Sequence, residues 1–112
     1  MKLKKKEFIR TKDGYIGKII AISYITNFVF FERNNKIITT SIDEIVDQQS
    51  TPQDLIRIGD YINGYKVNDM DEEFIYSSNP ENNNQPFTFK KEAIKTILTK
   101  ELYDKNILYI YE

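Results

Sequence analysis

Three turn signals, "KDGY" (12–15) with its Gly14 and the pairs Asn34-Asn35 and Asn63-Gly64, each sit between short runs rich in Ile, Val, Phe and Tyr. This constrains the fold more than any other feature. Gly takes positive φ without steric penalty and Asn tolerates it, and a two-residue type I′ hairpin needs positive φ at both central residues. The flanking runs have strand character. Ile20, Ile22 and Tyr24 are expected on one face of a strand, with Ile19, Ala21 and Ser23 on the other. Phe8–Thr11, Ile16–Tyr24, Phe28–Glu32 and Lys36–Thr40 then read as a meander of antiparallel strands. Along the third of these, Phe28 and Phe30 oppose Val29 and Phe31. Either both faces are covered, as in a closed barrel, or one pair faces solvent as an interface.

Helical signals are brief. Ser41 with Glu44 forms a capping-box pattern, which predicts a short helical turn over Ser41–Val46. Thr51 as N-cap, Pro52 in the first helical position and Asp54 in the third predict another. Further strands are expected at Tyr61–Val67, folded back at Asn63-Gly64, and at Phe74–Ser78 and Phe87–Phe89. "NPENNNQP" (79–86) reads as a mobile polar loop. The tail from Lys90 has two readings. The favoured one is a strand over Ile94–Leu98, a short helix capped by Thr99, a turn at Asn106 and a last strand over Ile107–Tyr111. The other is one helix over 90–105.

The expected fold is therefore mainly β: a small SH3-like barrel or a strongly bent antiparallel sheet with one or two short helical turns. The alternative is α+β with the C-terminal helix. With 112 residues, a single domain is expected over 1–112, with 1–6 as a basic N-terminal tail.

The chain has no Cys and no His. That removes the thiol nucleophile, the thiolate metal site, the commonest general base and the commonest transition-metal ligand. The Ser residues have no His to activate them, and no Gly-rich phosphate loop is present. Asp69, Asp71 and Glu73 open like a calcium loop, but the sixth position is Phe74 rather than Gly and the twelfth is Pro80 rather than Glu. The reading is non-enzymatic, with no cofactor and no metal. There is no apolar run long enough for a membrane helix and no apolar stretch after the basic start, so no membrane association and a cytoplasmic location are expected.

Net charge of −1 hides a gradient. Residues 1–18 carry seven Lys and Arg against Glu7 and Asp13, about +5, whereas residues 43–81 carry ten acids against Arg57 and Lys66, about −8. The middle therefore suits a basic partner rather than phosphate. The acidic, Tyr-bearing stretch supplies the candidate protein-binding residues Asp60, Tyr61, Tyr65, Asp69, Asp71, Glu72 and Glu73. The start supplies an alternative nucleic-acid surface of Lys4, Lys5, Lys6 and Arg10, with Phe8 and Tyr15 nearby.

"DLIRIGDYINGYKV" (54–67) followed by "IKTILTKELYDKNILYIYE" (94–112) resembles a group of small accessory proteins from phages and prophages of low-GC Gram-positive bacteria. Asp54, Leu55, Ile56, Gly59, Asp60, Asn63, Gly64, Val67, Thr99, Lys100 and Glu101 carry the likeness, which spans roughly residues 42–112. The resemblance implies a small protein of a mobile element that binds a host protein, an inhibitor of a host defence system being one form of that role. Two other readings stay open beside it. One is a nucleic-acid-binding barrel. The other is a module that sequesters a small ligand, such as a nucleotide, between protomers, which would need a homo-oligomer.

Overall fold

Positive φ appears where the turn residues stand. In the computed structural model, which describes residues 2–111, Asn34 and Asn35 have φ of 51° and 64°, and Asn63 and Gly64 have 47° and 87°. Both pairs therefore meet the type I′ requirement, and each closes a hairpin. The chain divides into two compact units, one ending at Leu55 and one beginning at Ile56.

The first unit is built from β1 (Phe8–Thr11), β2 (Ile16–Ser23), β3 (Phe28–Arg33), β4 (Lys36–Ser41) and β5 (Ile45–Gln49). They form one antiparallel sheet in the order β4-β3-β2-β1-β5. β4 and β5 are free edges, so the sheet is open rather than closed into a barrel. Its core is Leu3, Ile9, Ile19, Val29, Phe31 and Ile45, with Tyr15, Ile22, Ile38 and Ile42 packed around it. The simple alternation expected along β2 does not hold. The register shifts between Ile19 and Ala21, and the extra residue is Ile20. This bulge puts Ile22 on the core side with Ile19, while Ala21 and Ser23 pair with Phe30 and Phe28 on the other face. The helical turn expected over Ser41–Val46 is confined to Ile42–Glu44, where the Ser41 hydroxyl accepts from the Asp43 amide at 3.3 Å. Ile45 then enters the core and pairs with Thr11, so the chain continues as β5. The second expected turn is present over Pro52–Leu55, with Thr51 donating its hydroxyl hydrogen to Asp54 at 2.9 Å.

The second unit contains β6 (Tyr61–Ile62), β7 (Tyr65–Met70), β8 (Phe74–Asn79), β9 (Asn82–Lys90), β10 (Ile97–Leu98) and the helix α1 (Lys100–Tyr111). Its sheet is also antiparallel and open, in the order β10-β6-β7-β8-β9. Ile56, Ile62, Val67, Ile75 and Ile94 form the core, flanked by Met70, Phe89 and Ile97. β9 begins within the polar stretch 79–86, leaving Pro80 and Glu81 as the turn.

The tail departs from the favoured reading. The strand expected over Ile94–Leu98 shrinks to Ile97–Leu98, and residues 107–111 continue α1 instead of forming a last strand. Asp60 fixes where the helix begins. Its carboxylate accepts from the Lys100 amide at 2.9 Å, and the Tyr103 amide bonds back to the Thr99 carbonyl at 3.0 Å. A carboxylate on the first amide of a helix satisfies a donor that would otherwise be orphaned, and with the helix started in this way the chain continues it through Ile107–Tyr111 despite their strand-favouring side chains.

Candidate functional site

The seven residues expected to form one acidic, Tyr-bearing surface are distributed over three environments. Asp60 is fully buried. One carboxylate oxygen accepts from the Arg57 amide at 2.7 Å and the other from Lys100. It joins a turn to the start of a helix and presents no surface to a partner. Asn63, next along, works in the same way. Its side-chain oxygen accepts from the amides of Lys95 and Thr96 at 2.8 and 3.1 Å, and its amide group donates to the Ala93 carbonyl at 3.2 Å.

Tyr61 and Tyr65 do not share a face. Tyr65 is paired with the core residue Ile62, so Tyr61 points the other way. Tyr61 stacks on Tyr103 with ring centroids 4.1 Å apart. Burial, and then a hydrogen bond with Tyr103, push the Tyr61 phenol up to about 12. Tyr65 instead joins Phe87 and Phe89 at centroid distances of 5.2 and 5.5 Å. Both tyrosines are half-buried in packing roles.

The acidic residues remain together, on the β7–β8 hairpin. Asp69 pairs with Tyr76, which places both on the face turned away from the core residue Ile75. Asp71, Glu72 and Glu73 form the connecting turn, and all are exposed. Asp71 sets its shape. One oxygen accepts from the Glu73 and Phe74 amides at 2.9 and 2.8 Å, and the other from the Tyr76 hydroxyl at 2.8 Å. The Phe74 amide, then the Tyr76 hydroxyl and the Glu73 amide, hold the Asp71 carboxyl below the usual carboxylate range, and the same bond raises the Tyr76 phenol. Asp71 is thus occupied in holding the turn; Asp69, Glu72 and Glu73 are exposed, with one Asp69 oxygen accepting from the adjacent Met70 amide at 2.8 Å. Beside the turn, Glu72–Phe74 and Lys90–Glu92 line a cleft of about 230 Å³.

A pH dependence follows. Because the folded state lowers the Asp71 pKa, its contribution to stability is complete above the ordinary Asp value and is lost as pH falls through the folded one. Hydrogen exchange at the Phe74 amide, corrected for intrinsic rates, is expected to accelerate as pH drops below the usual carboxylate range. Asp71→Ala should abolish that dependence.

The basic residues of the alternative surface also separate. Arg10 is fully buried and donates to the Leu55 carbonyl at 2.9 Å, so it cannot meet a phosphate. Lys4, Lys5 and Lys6 are exposed. Their backbone is tied to the sheet: Leu3 lies in the core, the Lys4 amide donates to the Gln48 side chain at 2.9 Å, and the Lys6 amide donates to the Ile19 carbonyl at 3.0 Å.

The sequence does not single out Tyr76, and it leaves open whether one pair among Phe28–Phe31 faces solvent. Tyr76 belongs to the acidic face, which only the β7–β8 register reveals. Ile20, Tyr24, Ile25, Phe28 and Ile37 are all exposed large apolar residues of the first unit. Phe28 lies on the face turned away from the core and is 44% exposed. Among the described residues, no group of three or more His, Cys, Asp or Glu is placed to hold a metal ion, and no helix is long and apolar enough to cross a membrane. Comparison with protein families, curated proteins and solved structures finds no match for this chain.

Proposed function

We propose that this chain is a non-enzymatic accessory protein of the phage or mobile-element type, and that it acts by docking the β7–β8 hairpin on a basic surface of a host protein. The observation that carries this reading is the pre-formed acidic turn. Asp71 takes three hydrogen bonds that lock the loop, and Asp69, Glu72, Glu73 and the Tyr76 ring stand outward around it. A charged loop already held in one shape loses little conformational freedom on binding, and exposed Tyr beside acidic groups is a composition suited to protein recognition.

The division of labour among the carboxylates determines the test. Reversing Asp71 would disturb the turn itself, so the informative variant is Asp69→Lys, Glu72→Lys, Glu73→Lys with Asp71 and Tyr76 kept. Affinity capture from a bacterial lysate followed by mass spectrometry should recover a partner with the parent chain. Binding of that purified partner should weaken about a hundredfold in the variant, equivalent to about 2.7 kcal/mol. Retention of every recovered partner at parental affinity removes this hairpin as the docking site.

A further inference from the structure

A second surface, of opposite charge, lies on the first unit. Lys5, Lys6, Lys18, Ile19, Ile20 and Glu32 line a hollow of about 330 Å³. Two features build it. The bulge in β2 releases Ile20 from pairing and leaves it 39% exposed beside Lys18. The turn before β1 brings in Lys5 and Lys6, held by the Lys6 amide on Ile19, the Glu7 amide on the Lys4 carbonyl at 3.3 Å, and Leu3 in the core. Lys6 has φ of 73°. A glycine would adopt that conformation without strain, yet the position carries a long cation. Three lysines against the single Glu32, the cross-strand partner of Lys18, leave the lining net positive beside the exposed Ile20.

We propose that this hollow is a docking site for an acidic polypeptide segment that inserts an apolar side chain over Ile20. Charge complementarity selects the acidic flanks, and the exposed Ile20 selects the apolar anchor. Phe8, across the strands from Lys18, is half-buried, and the large apolar side chain exposed at the hollow is the aliphatic Ile20, which favours an apolar side chain of a polypeptide over a stacked base. The site is independent of the acidic hairpin, so either can fail alone.

The test uses the full chain and three fluorescently labelled probes at low salt, read by anisotropy. These are a short peptide alternating Glu with Leu, the same peptide with Gly in place of Leu, and an oligothymidylate of similar length. The Glu-Leu peptide should bind, and the Gly version should bind about tenfold more weakly. Lys5→Glu with Lys18→Glu should weaken the Glu-Leu peptide at least tenfold, whereas the hairpin variant Asp69→Lys, Glu72→Lys, Glu73→Lys should leave it unchanged. Should the lysine variant lose its fold, amide shift perturbation of the parent chain replaces it, with the peptide expected to move residues 5, 6, 18, 20 and 32. Absence of peptide binding, equal binding by the lysine variant, perturbation elsewhere, or tighter binding of the oligothymidylate each overturns the proposal.

Discussion

Asp60→Ala is expected to destabilise the second unit by about 3 kcal/mol, the sum of a lost helix cap and of two part-buried amides left without their charged acceptor. The carboxylate is fully buried and bridges two amides, those of Arg57 and Lys100. The measurement is urea denaturation, with hydrogen exchange at the Arg57 and Lys100 amides as the local readout. Both amides should exchange about a hundredfold faster in the variant. Asp60→Asn keeps one acceptor oxygen but turns a donor toward the second amide, and should retain part of the lost stability. A change below about 0.5 kcal/mol for Asp60→Ala, the range of an ordinary surface substitution, would show that the clamp does not hold the helix.

Phe31→Ala is expected to cost about 4 kcal/mol, whereas Phe28→Ala, on the same strand, should stay within about 1. Phe31 is completely buried in the first core, and Phe28 is 44% exposed on the other face. Packing around Phe31 leaves no slack. A Cβ on Gly17 would overlap the Phe31 ring and come within 2.7 Å of the Glu32 carbonyl oxygen. An alanine at 31 therefore leaves a cavity whose walls are held by backbone pairing on both sides. Equal losses at the two positions, read by chemical denaturation, would mean that both faces of the sheet are covered.

Legibility followed the range of the forces involved. The hairpins at Asn34-Asn35 and Asn63-Gly64 could be read because their geometry is a property of two residues and their φ angles. The acidic turn could be located as a stretch of charge. That Asp71 holds the turn, while Asp69, Glu72 and Glu73 face outward, could not, because the partner that distinguishes it is Tyr76 across the hairpin. Arg10 and Asp60 misled for a related reason. An ionisable residue near a charged run reads as surface, yet each is fully buried and has a hydrogen-bond partner far along the chain, the Leu55 carbonyl in one case and the Lys100 amide in the other. The bulge at Ile20 was equally hidden, since the alternation of residues 19–24 is compatible with an unbroken strand.

The sequence by itself determined that this chain makes antiparallel sheets, where its tightest turns fall and that its charge is unevenly spread, because backbone sterics, side-chain shape and charge are local quantities. Only the tertiary structure decided that the sheets stay open, that residues 107–111 join a helix, and which charged side chains face outward. Those outcomes depend on which distant groups satisfy each buried amide, and a carboxylate such as that of Asp60 acquires its role only when the fold brings residues 57 and 100 to its two oxygens.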